Sequence, residues 1–302
     1  MLDMYVACIG NFDGVHLGHR AIMQKTVSMA ANLDLQSTAI SIVYPWGYYF
    51  PNFPGIIYPV AQRLEQILTT GIERVVTVNM SEIRYLEPED YISRLMSEGM
   101  RAIVVGRDFT FGNGAKGNIE LLERISKEGD LRVEIVPDAL YDGRRISSSW
   151  IRESIAKGDI GLTNSLLGKR YSIRGKVYKD KQLGAKIGFP TANIHRGDER
   201  LVIPRSGVYI IMSTIDSRDY FGLLNVGFRP TVNTSEEVKY EVYFFDYSGN
   251  LYNRNLELEF LEFIRPELKF DSLGELIEQI KHDERVARRW LEIHLNMLKK
   301  ER

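Results

Sequence analysis

The first half of the chain alternates short β-rich segments with longer amphipathic segments. The strand candidates are residues 4–9, 37–43, 74–78, 102–106 and 132–136. Apolar residues at helical spacing predict a helix over 15–33, and residues 62–70 predict another that ends at Gly71, a residue type that tolerates a left-handed helix cap. Pro88 suits the first turn of a further helix, because no hydrogen bond is lost there. This alternation predicts a parallel sheet covered by helices.

Beyond Gly168 the pattern changes to β-rich segments that no helical pattern separates. These segments are residues 207–214, 220–226, 239–246 and 255–264, and they predict an antiparallel sheet or a barrel. In the last of them the alternation of apolar and acidic residues slips at Leu261, which indicates a bulge. From Asp271 onward, apolar residues recur at helical spacing and predict a long terminal helix.

Length and composition indicate two domains. A chain of 302 residues with 44% apolar residues is large enough for two separate cores. The change of pattern places the first domain at residues 1–158 and the second at residues 169–302, with a polar linker over residues 159–168. We expect a monomer or a weak oligomer.

Charge and cysteine content exclude several classes of partner and compartment. The chain has 39 Lys and Arg against 40 Asp and Glu, so its net charge of -1 argues against a general attraction to nucleic acid. Charged residues interrupt every apolar run before the ~18 residues that a membrane-spanning helix needs. The single cysteine, Cys8, cannot form a disulfide within the chain, and no signal-peptide pattern opens the sequence. We therefore expect a protein of the cytoplasm that does not bind membranes.

The loop after the first strand contains a pair of histidines. It has the sequence GNFDGVHLGH, from Gly10 to His19, and leads into the first helix. The spacing of His16 and His19 places both imidazoles in the first turn of that helix, where free N–H groups bind phosphates. Imidazolium groups there stabilise charge on a phosphorus under attack. The pair alone is equally typical of exposed polar residues, and a zinc site is not favoured because no cysteine or third histidine lies nearby.

Three serines and an arginine at the start of a later helix indicate a second phosphate-binding element. Residues 147–149 are serines, and Arg152 follows one turn later. Their hydroxyls, the free N–H groups and the guanidinium can converge on a polyphosphate. Taken alone, the segment is more typical of an ordinary serine cap with a solvated arginine. Together with the histidine pair, it favours phosphate binding.

Two common nucleotide-binding motifs do not explain the sequence. Residues 112–117 spell G-x-G-x-x-G, but residues 107–111 separate this motif from the preceding strand, whereas a dinucleotide site turns directly out of one. The G-x-x-x-x-G-K-[ST] phosphate loop does not occur in the sequence. Any kinase activity must therefore use another phosphate-binding loop.

The β-rich half contains polar residues suited to a hard cation. The side chains of Thr191 and Asn193 are two positions apart, so on an extended strand their oxygens point the same way. Mg²⁺ usually takes one or two protein oxygens together with nucleotide phosphates. Glu241 lies among apolar strand residues, where a carboxylate can act as general base on a hydroxyl. Taken singly, these residues are also typical of turns and of a solvent-facing strand position.

These segments together resemble one family over nearly the whole chain. The loop GNFDGVHLGH is similar to the HxGH signature of nucleotidylyltransferases, in the form used by prokaryotic bifunctional riboflavin kinase/FMN adenylyltransferases. Five further segments resemble the same family: VVGRDFTFGNGAKGN (104–118), ISSSWIRESIAKGDI (146–160), PTAN (190–193), NVGFRPT (225–231) and IRPELKF (264–270). The resemblance implies an N-terminal Rossmann-like nucleotidylyltransferase domain with a parallel sheet. It also implies a C-terminal antiparallel β-barrel with a long terminal helix, an α/β plus β fold.

The resemblance also implies roles for particular residues. The catalytic residues are expected to be His16, His19 and Glu241. In the adenylyltransferase, ATP would bind Gly10, Asn11, Phe12, Asp13, Gly18, Ser148, Ser149 and Arg152, and the flavin would bind Asp108, Phe109, Phe111 and Asn113. In the kinase, ATP would bind Gly184, Lys186, Gly188, Thr191 and Asn193, the flavin would bind Asn225, Arg265 and Phe270, and Mg²⁺ would bind Thr191 and Asn193.

The function implied by the resemblance is the synthesis of FAD in two ATP-dependent steps, with riboflavin and FMN as substrates and Mg²⁺ as cofactor. The alternatives are a nucleotidylyltransferase for another substrate, with a non-catalytic barrel, and a non-catalytic flavin-binding protein. The chain departs from the family in two places. Asp180 and Ala185 stand where the family usually has a glycine and an arginine, and YPWGYYFP, from Tyr44, replaces a stretch that usually contains histidine.

Overall fold

The computed structural model describes residues 4–129, 131–179, 188–230 and 236–300. Contacts between residues divide the chain into two compact units. The first comprises Met1–Arg152 and Leu166–Gly168, and the second comprises Glu153–Ser165 and Lys169–Arg302. Within the described ranges, no helix combines the length and the apolar character needed to cross a membrane.

The first unit contains a five-stranded parallel sheet, which confirms the predicted Rossmann-like fold. Its strands are β1 (Tyr5–Gly10), β2 (Gln36–Ile42), β3 (Arg74–Val78), β4 (Met100–Gly106) and β5 (Arg132–Val136), in the order β3-β2-β1-β4-β5. Its helices are α1 (Leu17–Leu33), α2 (Val60–Leu68), α3 (Met80–Ile83), α4 (Pro88–Ser97) and α5 (Ile119–Glu128). A short hairpin of β6 (Leu140–Tyr141) and β7 (Arg144–Arg145) follows the sheet. The chain then enters α6 (Ser148–Lys157).

Strand β1 lies at the centre of this sheet and explains where a ligand can bind. Val6, Ala7 and Cys8 are fully buried because helices cover both faces of the sheet. Burial raises the pKa of the Cys8 thiol to about 12, so this cysteine is not a nucleophile at neutral pH. The chain leaves β1 towards β2 on one side and reaches β4 on the other side. Such a reversal of strand order opens a crevice at the carboxyl ends of the strands, where ligands of open α/β sheets bind.

The segment predicted as a polar linker, residues 159–168, contains helix α7 (Ile160–Leu167). Three of its residues are buried, Ile160, Leu166 and Leu167, so apolar packing stabilises this helix. The boundaries at residues 158 and 169 remain a prediction.

The second unit is a closed six-stranded barrel. Of the two architectures predicted from the sequence, an antiparallel sheet or a barrel, the barrel is therefore confirmed. Its strands are β8 (Ser172–Tyr178), β9 (Ala192–His195), β10 (Gly207–Ile215), β11 (Arg218–Pro230), β12 (Glu236–Phe244) and β13 (Asn255–Arg265). All described pairings are antiparallel, in the order β10-β11-β12-β9-β8-β13. The chain then forms helix α8 (Leu273–Lys300), as predicted.

The bulge predicted at Leu261 is confirmed by the register of β10 and β13. Ile211 pairs with Phe260. The preceding residue, Ile210, pairs with Glu262, which leaves Leu261 as the extra residue. Leu261 therefore joins the apolar cluster of α8, whereas Phe260 packs among the aromatic rings of the barrel.

Candidate active sites

The loop between β1 and α1 has a strained backbone. Phe12 and Val15 have φ angles of 53° and 44° although both side chains are buried, and Gly14 has a φ of 87°. A positive φ is costly for a β-branched residue such as Val15, so the surrounding structure must hold the loop in place. At the end of the loop, His16 caps α1, because its Nδ1 accepts a hydrogen bond of 3.3 Å from the backbone N–H of His19. The loop thereby fixes the position of both histidines.

The two imidazoles are stacked, with ring centroids 3.6 Å apart and an angle of 18° between the rings. The spacing of three residues therefore brings them together as predicted. Burial lowers the pKa of His16 to about 4, and the positive charge of Arg145 adds to this effect. Burial and then the neighbouring His16 lower the pKa of His19 well below its usual range. Both rings are therefore neutral at neutral pH until an anion binds beside them.

In the His16→Asn variant, we expect the free energy of unfolding to fall less on acidification than in the unmodified protein. The pKa of His16 is about 4 in the folded state, against 6.5 for an exposed histidine, so the unfolded chain binds an extra proton between these values. The free energy of unfolding therefore falls as the pH drops, and His16 contributes up to roughly 3 kcal/mol to that fall. Asparagine keeps a capping acceptor at the start of α1. Urea unfolding of both proteins at about pH 4.5 and about pH 7 measures the effect; an identical pH dependence would contradict it.

The histidines line a cavity of about 350 Å³ at the carboxyl ends of β1, β2, β4 and β5. Of the residues predicted to bind ATP or flavin in this domain, those on its wall are Gly10, Asn11, Phe12, Gly18, Asp108, Phe109 and Ser148. Ser147 lies on the wall as well, whereas Ser149 is exposed and does not line the cavity. The predicted phosphate-binding elements thus meet at one place, except for Ser149, Asp13 and Arg152.

Asp13 and Arg152 form a buried ion pair beneath this loop. Arg152 Nη2 lies 2.6 Å from Asp13 Oδ2, and the Asp13 side chain is 1% exposed. The backbone N–H of Ile57 donates to the other carboxylate oxygen at 2.9 Å. Arg152 Nε also donates to Gly55 O, and Ser148 Oγ donates to Asp13 O. The pair therefore ties the histidine loop to the start of α6. The predicted role of Arg152 as a phosphate ligand remains a prediction.

Arg145 is a charged wall residue that the sequence analysis missed. The hairpin of β6 and β7 places it on the wall of the same cavity. Its guanidinium pairs with Asp108, and its Nε lies 3.3 Å from Asp138. The hydrogen bond that Arg145 donates to Asp108 raises the pKa of Arg145, so the guanidinium stays charged beside the histidines. No periodicity marks a two-residue strand, so only the position of Arg145 next to Ile146 and the serines offered a signal.

A second cavity, of about 440 Å³, shares Phe109 and Thr110 with the first. Three residues predicted to bind flavin in this domain line it, namely Phe109, Phe111 and Asn113. The rings of Phe109 and Phe111 are stacked with centroids 5.3 Å apart. Trp46, from the stretch that departs from the family, lines the cavity as well.

In the barrel, three predicted site residues form one row across neighbouring strands. Asn193 of β9 pairs with Glu241 of β12, and Glu241 pairs with Asn225 of β11. Directly paired residues point to the same face of a sheet, so these side chains are neighbours. Val208 of β10 continues the row, since it pairs with both Asn225 and Arg265. The four predicted site residues of this row, Asn193, Glu241, Asn225 and Arg265, lie far apart in sequence but come together on one face of the barrel.

Asn193 and Glu241 differ in their surroundings. Asn193 is 5% exposed, and its Oδ1 has no hydrogen-bond partner within the described residues. A buried amide oxygen without a partner is costly, so this atom is suited to a ligand or a cation. The carboxylate of Glu241 is 30% exposed and lies 2.6 Å from the ammonium of Lys239. Thr191 directly precedes β9 and is half-buried.

The remaining residues predicted for the kinase have different positions. The guanidinium of Arg265 makes a bidentate ion pair with Asp283 of α8, whose side chain is 2% exposed. This pair joins the last strand of the barrel to the terminal helix. Phe270 lies in the segment that connects these two elements. Gly188 has a φ of 88°, whereas Gly184 and Lys186 lie outside the described residues.

In the part of the chain that the structure describes, no group of three or more histidine, cysteine, aspartate or glutamate side chains forms a metal-binding cluster. The unpartnered oxygen of Asn193 nevertheless fits Mg²⁺, because this cation takes few protein ligands when a nucleotide supplies the others.

Comparison with known proteins assigns each unit to a family. The family described as FAD synthetase matches residues 2–150, and the family described as riboflavin kinase matches residues 167–291. A bifunctional riboflavin kinase/FMN adenylyltransferase of Haemophilus influenzae is 34% identical over 291 residues, which cover 93% of this chain and 92% of that protein. The protein of the same description from Pseudomonas fluorescens is 32% identical over 287 residues, with coverages of 94% and 92%.

A solved structure has the same fold over nearly the whole chain. The crystal structure described as a macrolide-efflux protein from Streptococcus pneumoniae has a TM-score of 0.86 and 29% sequence identity. The match covers 96% of this chain and 95% of that one. The description applies to that protein, whereas the identity and coverage of the curated relatives decide the family here. The chain belongs to the family of bifunctional riboflavin kinase/FMN adenylyltransferases.

Proposed function

We propose that the chain makes FAD from riboflavin in two steps, each of which consumes ATP. Riboflavin is phosphorylated to FMN by the barrel, and FMN is adenylylated by the N-terminal unit, with release of pyrophosphate. The observation that supports this proposal best is that each unit matches its own family and holds its own cluster of polar residues. The domain division at residues 1–158 and 169–302 forms part of the proposal.

In the first step, Glu241 accepts the proton of the terminal ribityl hydroxyl, and the hydroxyl oxygen attacks the γ-phosphorus of ATP. The products are FMN and ADP. Lys239, 2.6 Å from Glu241, holds the carboxylate in place. Asn225, which pairs with Glu241 in the row, would orient the flavin substrate. Gly184, Lys186 and Gly188 are the residues that we expect to bind the phosphates of ATP.

Mg²⁺ neutralises phosphate charge when it is bound with ATP. Thr191 and Asn193 would hold it, because Oδ1 of Asn193 on β9 is buried and has no hydrogen-bond partner within the described residues. The remaining ligands would be phosphate oxygens and water.

In the second step, the phosphate of FMN attacks the α-phosphorus of ATP. It is already an anion, so it needs no general base. His16 and His19 stabilise the charge that develops on the α-phosphate, since the triphosphate raises the pKa of these rings when it enters the cavity. Ser148 and the positive charge of Arg145 lie on the same wall and hold the leaving pyrophosphate.

The alternative of a nucleotidylyltransferase with an inert barrel is not favoured, because residues 167–291 match the riboflavin kinase family. The cytoplasmic location, the expected monomer or weak oligomer and the lack of nucleic-acid binding remain predictions.

Purified protein incubated with riboflavin, ATP and Mg²⁺ tests the proposal when FMN and FAD are then separated by chromatography. We expect FMN to appear first and FAD to follow. FMN as the only product would contradict the second step, and conversion of supplied FMN but not of riboflavin would contradict the first.

Asn193→Ala is expected to raise the Mg²⁺ concentration for half-maximal phosphorylation of riboflavin by about tenfold, which corresponds to roughly 1.4 kcal/mol. The substitution removes the oxygen proposed to bind the cation, whereas Asn193→Asp keeps one and should retain a low Mg²⁺ requirement. Kinase rates measured over a series of Mg²⁺ concentrations check this. An unchanged requirement in Asn193→Ala would contradict the assignment.

A further inference from the structure

Arg84 lines the 440 Å³ cavity and lies against two aromatic rings. Its guanidinium carbon lies 3.5 Å from the centroid of the Trp46 ring and 4.6 Å from that of Tyr85. No carboxylate of the described residues forms an ion pair with it. A guanidinium without a carboxylate partner is thus held beside a largely apolar cavity.

Trp46 is held in place by its own segment. It begins a short 3₁₀ turn, Trp46–Tyr49, that follows Pro45 at the carboxyl end of β2. Its ring meets the edge of Phe50 at a centroid distance of 5.4 Å and lies 5.9 Å from Tyr49. The indole is nevertheless 43% exposed, which is unusual for a ring with so many aromatic neighbours. A large exposed ring on a cavity wall is suited to cover a ligand.

The position of the cavity indicates the shape of the ligand. Trp46 follows β2, and the stacked pair Phe109 and Phe111 follows β4, so aromatic walls lie on both sides of the end of β1. Ile9 and Ile42 complete the lining between them. A flat ring system fits between such walls, whereas phosphate groups fit the neighbouring cavity with its histidines and serines. A molecule with a flat ring at one end and a phosphate at the other can occupy both cavities.

The chemistry of Arg84 distinguishes the two substrates of the proposed second step. A guanidinium that lies face-on against a ring keeps its N–H groups available for hydrogen bonds in its own plane. The pyrimidine ring of a flavin carries two carbonyl oxygens that accept such bonds, whereas adenine accepts hydrogen bonds only through ring nitrogens. We propose that Trp46 and Arg84 determine the flavin specificity of the N-terminal unit. Trp46 covers the flavin ring, and Arg84 donates hydrogen bonds to its carbonyl oxygens.

This inference rests on the proposed adenylylation of FMN, and Trp46 belongs to the stretch from Tyr44 to Pro51 in which this chain departs from the family. The indole offers the flavin a large stacking surface. The indole also packs against the guanidinium of Arg84, which donates the proposed hydrogen bonds to the flavin carbonyl oxygens.

Arg84→Gln in the full-length protein tests the role of the arginine. We expect KM for FMN to rise about tenfold or more, because a hydrogen bond from a charged donor is lost. KM for ATP should stay unchanged, because the ATP phosphates are proposed to bind in the 350 Å³ cavity, which Arg84 does not line. The 2-thio and 4-thio analogues of FMN provide a second measurement, because sulfur is a weaker acceptor than oxygen. The unmodified protein should use them less well than FMN, and Arg84→Gln should lose this preference.

Arg144→Gln is the matched control. The Arg144 guanidinium lies 4.1 Å from the centroid of the Trp150 ring, in the same unit, but it does not line the cavity. Its loss should leave KM for FMN unchanged. Trp46→Ala should raise KM for FMN and reduce the quenching of flavin fluorescence on binding.

The outcomes separate this inference from the proposed function. If the unmodified protein makes FAD but does not distinguish FMN from its thio analogues, the proposed role of Arg84 is overturned. An unchanged KM for FMN in Arg84→Gln leads to the same conclusion. Failure of the unmodified protein to convert FMN would overturn the proposed function instead.

Discussion

His19→Ala is expected to lower the rate of FMN adenylylation by about 10²- to 10³-fold, which is the usual effect of removing one group that stabilises charge in the transition state. His19 lines the 350 Å³ cavity and stacks on His16, with the ring centroids 3.6 Å apart. Phosphorylation of riboflavin, proposed for the barrel, should continue at its native rate. A reaction started from riboflavin should therefore accumulate FMN, and chromatography of the flavins measures it.

His282→Ala is the matched control for this experiment. His282 is an exposed imidazole on α8, in the second unit. Its removal should leave both rates unchanged. If His19→Ala makes FAD at the native rate, the imidazole has no part in the transfer. If His19→Ala loses both activities while its unfolding curve is unchanged, the assignment of the two steps to separate units is wrong.

The stacked, neutral imidazoles have a consequence for binding. Two cations at 3.6 Å would repel each other in a buried site, so the ligand-free cavity keeps both rings uncharged. We expect the negative charge of a triphosphate to offset that repulsion, so that the rings take up protons when a nucleotide binds.

Local patterns predicted much of the fold and part of the sites. The spacing of His16 and His19 placed both rings in one helical turn, because α-helix geometry alone sets this distance. The slip of the alternation at Leu261 predicted the bulge for the same reason, since strand faces alternate residue by residue. The parallel sheet followed from the order of strands and helices.

Contacts between distant segments could not be predicted in this way. The row of Asn193, Glu241 and Asn225 depends on the register of three strands, and that register is set by the whole barrel. The pairing of Arg145 with Asp108 depends on where a two-residue strand meets the end of β4. The sequence shows these residues but not their neighbours.

The neighbours of Glu241 are compatible with its proposed role as a base. Its carboxylate lies on a strand between two amide side chains, Asn193 and Asn225, and next to the ammonium of Lys239. Amide side chains are far weaker bases than a carboxylate. A substrate hydroxyl that reaches this row would therefore find Glu241 as the acceptor.

Glu241→Gln is expected to slow the phosphorylation of riboflavin by about 10²- to 10⁴-fold, the usual contribution of a general base, while supplied FMN is still converted to FAD. Glutamine has the shape of glutamate but accepts no proton at neutral pH, so the strand and its neighbours are retained. Separate assays started from riboflavin and from FMN measure the two rates. Glu292→Gln, at an exposed position on α8, is the control and should phosphorylate riboflavin at the native rate. A native rate in Glu241→Gln would show that another group accepts the proton, and a loss of FAD formation from FMN would show that the two sites are not independent.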